Sequence, residues 1–145
     1  MNTLMQATGK SLWMLMGIVA LVAGCAGMSG SGNTQVTLSG AQEVPPVTTA
    51  ATGFGTITVG GDKSVSGSVS TSGVVGTVAH IHDGAPGKNG PVIVPLTKSS
   101  DNTWTVPPGT KFTDAQYEAY KAGNLYVNVH SAANKGGEIR GQLKP

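Results

Sequence analysis

Apolar or β-branched residues alternate with polar ones in a series of short segments between residues 34 and 143. Successive side chains of a β-strand point to opposite faces of a sheet, so this alternation is typical of half-buried strands. Residues 60–63, between two such segments, have the glycine content of a hairpin turn. The pattern predicts strands at residues 35–38, 52–59, 64–70, 75–82, 92–96, 103–106, 125–130 and 137–143.

One segment departs from this alternation. Thr113 and Gln116 have the spacing of a helix capping box, Tyr117 and Tyr120 follow, and Gly123 supplies a stop signal. We therefore expect a short helix at this place. Short, glycine-separated strands with one small helix in a connection predict an all-β fold, either a Greek-key β-sandwich or a flattened barrel.

The N-terminal residues have the pattern of a bacterial lipoprotein signal. Lys10 precedes an apolar run over residues 12–22, and Cys25, the single cysteine, follows small residues at the end of that run. The run is shorter than the roughly 20 residues that span a bilayer, so we expect Cys25 to be acylated after cleavage. The predicted segments are a signal peptide at 1–24, a flexible linker at 25–33 and one domain at 34–145.

This leader predicts a protein held at the bacterial cell envelope by lipid on Cys25. Ala26 is not the aspartate that retains lipoproteins in the inner membrane of many Gram-negative bacteria, so in such a cell the outer membrane is favoured. An ordinary signal peptide with an incidental cysteine stays the alternative.

Charge and motif content exclude two classes of function. The net charge of +2 includes Lys10 of the leader, and the rest of the chain has no basic run with which to bind nucleic acid. The chain has no Gly-x-Ser-x-Gly turn and its only cysteine is assigned to lipid, so the sequence indicates no activated nucleophile and no disulfide. We expect a binding module rather than an enzyme.

The three histidines are the candidate metal ligands. His80 and His82 are spaced i, i+2 in a predicted strand, which places both imidazoles on one sheet face, and His130 ends a later strand. If the two strands lie together, three neutral imidazoles converge on one point and form a donor set that suits copper or zinc. Asp83 and Glu138 are the expected oxygen donors, as a fourth ligand or as acceptors that orient the histidines.

Each of these residues also has a simpler interpretation. A same-face histidine pair is common on solvated sheets, and spacing alone does not bring His130 to it. Asp83 has the place of a residue that starts a turn. Glu43, directly before Val44 and Pro45, has the place of a lone carboxylate at the end of a strand.

Five blocks, in this order along the chain, resemble the CHRD domain, a module first named from chordin. The blocks are LSGAQEVPP at 38–46, AHIHDG at 79–84, GPVIVPL at 90–96, LYVNVH at 125–130 and GGEIRGQL at 136–143. Together they cover about residues 34–143. The resemblance implies an immunoglobulin-like or superoxide-dismutase-like β-sandwich of extracytoplasmic proteins, and it implies no particular reaction.

His80, His82, His130 and Arg140 are also similar in placement to the copper histidines and the C-terminal arginine of copper-zinc superoxide dismutases. The chain has no further histidine to bridge copper to zinc, and no structural disulfide. The similarity therefore implies a copper site without a second metal, with Arg140 beside it or paired with Asp83. A protein-interaction or structural module without metal is the first alternative, and residual superoxide chemistry is the second.

Overall fold

The computed structural model describes residues 32–145. The predicted signal peptide and Cys25 lie outside this range, and no helix within it is long and apolar enough to cross a membrane. The strands are β1 (Gly32–Ser39), β2 (Thr52–Val59), β3 (Val65–Ser72), β4 (Gly76–Asp83), β5 (Val92–Pro95), β6 (Thr97–Ser100), β7 (Thr103–Thr105), β8 (Leu125–Ser131) and β9 (Ile139–Leu143). A 3-10 turn covers Gly40–Gln42, and the helix α1 covers Asp114–Lys121.

The strands of this region form one antiparallel sheet in the order β5-β4-β8-β9-β1-β2-β3-β7-β6. The two outermost strands, β5 and β6, are consecutive in sequence and are separated only by Leu96. The Leu96 amide donates to the Ala79 carbonyl at 2.9 Å, and Lys98 Nζ donates to the Gly76 carbonyl at 3.1 Å across the same gap. The sheet is therefore nearly closed, and the predicted all-β fold with one short helix is confirmed.

The inner face of the sheet encloses the hydrophobic core. The core-facing residues of β4 and β8 are each at most 1% exposed: Ala79, Ile81, Leu125, Val127 and Val129. Full burial of one aliphatic side chain of this kind contributes about 1.5–3 kcal/mol to the free energy of unfolding. The core therefore fixes which face of β4 and β8 remains for polar side chains.

The helix α1 begins and ends at the predicted signals. The Gln116 amide donates to Thr113 Oγ1 at 3.2 Å and the Thr113 amide donates to Gln116 Oε1 at 2.9 Å, which completes the capping box. Gly123 follows the helix with a φ of 73°, a conformation that glycine adopts without strain. The Tyr120 hydroxyl lies 2.6 Å from Thr34 Oγ1, and this buried hydrogen bond joins the helix to β1.

Sequence pattern missed β6. All four of its residues are exposed, so the segment has no apolar alternation to detect. It is a strand because it pairs with β7, where Thr97 lies opposite Thr105 and Lys98 lies opposite Trp104. A second difference is at β9, which begins at Ile139 because Gly137, with a φ of 137°, still belongs to the preceding turn.

We expect Gly55 of β2 to tolerate no side chain. A Cβ added there would lie 2.2 Å from the Ser68 carbonyl oxygen and 2.6 Å from Val69 Cα. These are backbone atoms of β3, so Gly55→Ala should lower the free energy of unfolding by roughly 1–3 kcal/mol. Gly136→Ala is the matched control, since nothing lies within 4 Å of its Cβ. Urea unfolding of both variants measures the difference, and equal stabilities would contradict the close packing of β2 on β3.

Candidate metal centre

The outer face of three neighbouring strands carries a row of polar side chains. His80 of β4 lies opposite Asn128 of β8, which lies opposite Arg140 of β9. One step along the strands, His82 lies opposite Tyr126. Every residue of β8 is buried, on this face as well as on the core face. The outer face of β8 is therefore covered by other parts of the chain rather than open to water.

The connections between strands provide this cover. The side chain of Asn89 donates to the Val44 carbonyl at 2.7 Å, which joins the segment after β4 to the segment after β1. The carboxylate of Glu43 packs against Gly137, which lies before β9. Three connections that are distant in sequence thus meet above β8.

The three histidines come together beneath these connections. One nitrogen atom from each of His80, His82 and His130 lies within 4.8 Å of the corresponding atoms of the other two. His80 Nδ1 lies 3.1 Å from His130 Nε2, and the ring centroids are 5.0–6.2 Å apart. The histidines are close enough to hold one metal ion. Within residues 32–145 they form the single such cluster of histidine, cysteine and carboxylate side chains.

Backbone carbonyls fix the tautomers of two of these rings. His82 Nδ1 lies 2.9 Å from the Gly90 carbonyl, and His130 Nδ1 lies 2.8 Å from the Lys135 carbonyl. A carbonyl oxygen only accepts, so both Nδ1 atoms carry the proton and both Nε2 atoms present a lone pair when the rings are neutral. His80 Nδ1 then donates to His130 Nε2. His82 Nε2 is buried and makes no hydrogen bond.

The surroundings favour the neutral, ligating form of the rings. Burial lowers the pKa of His80, and the neighbouring His130 and His82 lower it further. Burial also lowers the pKa of His82, against the hydrogen bond to Gly90. Both shifts favour the neutral imidazole, which is the form that binds a metal.

Tyr126 holds His82 in two ways. Its ring stacks on the His82 ring with centroids 4.8 Å apart and an angle of 6° between planes. Its hydroxyl accepts from the Gly90 amide at 3.2 Å, and the Gly90 carbonyl is the group that binds His82 Nδ1. The guanidinium carbon of Arg140 lies 3.5 Å from the centroid of the same tyrosine ring.

Glu138, expected as an oxygen donor, is occupied by other partners. Oε1 accepts from Thr49 at 2.6 Å, while Oε2 accepts from Ser131 at 2.7 Å and from Asn134 at 2.5 Å. The hydrogen bonds from Thr49, Asn134 and Ser131 lower the pKa of Glu138. These bonds shape the turn before β9, and the same turn supplies the Lys135 carbonyl that orients His130.

Asp83 and Arg140 also differ from their expected arrangement. Asp83 has the strand parity of Ala79 and Ile81, whose side chains are in the core, and its carboxylate makes no hydrogen bond within the described residues. Arg140 is fully buried, and its guanidinium donates to the side chains of Asn89 and Gln142 and to a backbone carbonyl. The ion pair between Asp83 and Arg140, one of the alternatives for Arg140, is not formed.

Sequence reasoning missed the burial of Glu43. This side chain follows the first strand as expected, but it is 5% exposed and its Oε1 atom makes no hydrogen bond. Burial raises the pKa of Glu43 to about 7, although the charge of Arg140 lowers it. The available signal was a single acidic residue inside an otherwise uncharged block, LSGAQEVPP. Asn128 Oδ1 is likewise buried without a hydrogen bond.

The fold and this cluster define an all-β binding or structural module. The family model of the CHRD domain matches residues 34–143, so the chain belongs to the CHRD domain family. The match runs from β1 to the end of β9 and includes the three histidines. No curated protein and no solved structure matches the chain.

We expect Glu43→Gln to stabilise the protein above neutral pH. With its raised pKa, folded Glu43 keeps a proton that the unfolded chain releases near pH 4.5, so the free energy of unfolding falls as pH rises from about 4.5 to 7. The glutamine variant avoids this loss and should be more stable at pH 8 by roughly 1–3 kcal/mol, with little difference at pH 4. Urea unfolding between pH 4 and 8 measures it. The control Glu118→Gln, at an exposed residue, should follow the unmodified protein.

Proposed function

We propose that this CHRD domain binds one copper ion through His80, His82 and His130 and presents it at a bacterial envelope membrane. The observation that carries the metal proposal is the convergence of three imidazole nitrogens within 4.8 Å. The Gly90 and Lys135 carbonyls support it, because they leave the Nε2 lone pairs of His82 and His130 free.

The donor set favours copper among the divalent metals. All three ligands are imidazoles, and the cluster contains neither a thiolate nor a carboxylate. Magnesium, calcium and manganese prefer oxygen donors, whereas imidazole suits copper, zinc and nickel. Copper(II) stands highest in the affinity order for such a site, above zinc(II), so it is the expected occupant when both are available.

Metal uptake has a cost that is visible in this arrangement. The proton on His80 Nδ1 points to His130 Nε2, the same lone pair that a metal would use. The ion must therefore break this hydrogen bond. The rest of the site needs little change, because His82 and His130 are already held by carbonyls and by Tyr126.

The role proposed here is binding without turnover. The same His80–His130 hydrogen bond favours one alternative, a structural module in which the histidines join β4 to β8 without metal. In that case the cluster would contribute stability that is independent of copper. The two roles differ in whether copper raises the free energy of unfolding of the protein.

The envelope location rests on Cys25 and the apolar run before it. Cleavage before Cys25 followed by acylation would hold the domain on a membrane, since two or more acyl chains anchor a protein stably. The Gly- and Ser-rich residues after Cys25 would separate the lipid from β1.

We expect the full chain carrying Cys25→Ser to bind one copper(II) ion with nitrogen ligation. The serine removes a thiol that would itself bind copper. Replacing both His80 and His130 with alanine should weaken binding on the order of 100-fold or more, because even outer partners of a ligating histidine contribute 10- to 100-fold. Calorimetric titration gives the affinity and stoichiometry, and paramagnetic resonance reports the nitrogen ligands.

The matched control is Asp62→Asn, which removes an exposed carboxylate of the β2–β3 turn and should leave copper affinity unchanged. Copper at 100 times its Kd should also stabilise the starting protein by about 2.7 kcal/mol and leave the double-alanine variant unaffected. Equal copper uptake by both proteins would overturn the metal proposal. A double variant that is destabilised, with no effect of copper on either protein, would support the structural role.

We expect Cys25→Ser to release the protein from membranes. Cell fractionation and labelling with a fatty acid measure this, with Ser29→Ala as a control that should remain acylated and membrane-bound. A Cys25→Ser protein that still incorporates fatty acid would contradict the lipid attachment.

A further inference from the structure

A cavity lies beside the histidine cluster and is lined by different residues. It has a volume of about 370 Å³ and is bounded by the segment after β1, the turn at Pro86 and Gly87, and β9. Its charged or titratable lining residues are Glu43, Arg140 and Lys144. None of the histidines lines it.

Arg140 brings an uncompensated positive charge to this cavity. Its side chain is 1% exposed, and no carboxylate oxygen of the described residues lies within 4 Å of it. It donates to three neutral acceptors: Asn89 Oδ1 at 3.3 Å, the Ala85 carbonyl at 3.2 Å and Gln142 Oε1 at 3.1 Å. A guanidinium group has five N–H donors, so two remain for another partner. A buried charge without a counter-charge is costly, and an anion from solution would remove that cost.

The other two charged or titratable groups make the cavity more favourable for an anion. Lys144 adds an exposed ammonium group to its lining. Glu43 is the nearest acidic candidate for a counter-charge, but its burial raises its pKa to about 7. Below that pH it is a neutral acid that can donate a hydrogen bond, and its Oε1 atom is buried without a partner.

We propose that this cavity is a binding site for a small oxyanion, held by the charges of Arg140 and Lys144 and by a hydrogen bond from the Glu43 carboxyl group. Arginine N–H groups donate to the oxygens of carboxylate, sulfate and phosphate groups, so these anions share the required chemistry. The proposal does not depend on copper binding, since none of the three histidines lines this cavity.

The test uses the full, metal-free chain in a nonionic detergent, titrated calorimetrically with sodium sulfate at constant ionic strength. Sulfate keeps its charge between pH 5.5 and 8.5, so a change in affinity reports on the protein. The charged groups that face Glu43 are Arg140 and Glu138, with Lys144 in the same cavity. We expect saturable binding of one sulfate per chain, weakening about tenfold between pH 6 and 8.5 as Glu43 ionises.

Three variants examine the residues separately. Arg140→Lys should weaken sulfate binding at least tenfold, and Lys144→Gln about threefold. Glu43→Gln should keep the affinity and abolish the pH dependence, which separates Glu43 from any titrating histidine. Lys111→Gln, an equal loss of charge on an exposed side chain that pairs with Asp62, is the control and should bind as the starting protein does.

If Arg140→Lys fails to fold, the other two variants still decide the matter. The absence of saturable binding in the starting protein would overturn the proposal. So would unchanged affinity in Lys144→Gln together with an unchanged pH dependence in Glu43→Gln. Parallel titrations with phosphate and acetate, at a pH where each charge is fixed, identify which oxyanion binds most tightly.

Discussion

The burial of β8 on both faces is the constraint on which the rest of the site depends. Its core face is aliphatic, but its outer face carries Tyr126, Asn128 and His130, and buried polar atoms need partners. The connections that cover this face supply several of them as backbone carbonyls and amides. Because a carbonyl only accepts, the cover also decides which ring nitrogen of His130 carries a proton. Packing and ligand chemistry are therefore set by the same contacts.

Local pattern predicted much of the fold because its determinants are local. The alternation in 52–59 gives β2 with the observed bounds, and Thr113 with Gln116 starts the helix through a capping box that needs no distant residue. β6 could not be found this way, since its four exposed residues become a strand only by pairing with β7. The near closure of the sheet depends likewise on contacts between residues far apart in sequence.

The site was likewise predictable only where it depends on local sequence pattern. The two-residue period places His80 and His82 on one face, but their meeting with His130 depends on the register of β4 on β8. The environment of Glu43 was harder to predict, because its neighbours Gly137 and Arg140 come about a hundred residues later in the chain. The uncharged block around Glu43 was the available local signal of its burial. Membership of the CHRD family extends the resemblance carried by the five sequence blocks to the whole domain.

The single residue between β5 and β6, Leu96, limits how another molecule can pair with the borders of the sheet. Unpaired backbone at the border of a sheet is a template on which other molecules can add strands and grow into fibrils. Here the two border strands, β5 and β6, have four residues each and follow one another in the chain. Lys98 Nζ of β6 donates to the Gly76 carbonyl of β4 across the gap. Few consecutive amides and carbonyls are left for such growth. The near closure of the sheet thus protects the described residues from the addition of a strand by a second molecule.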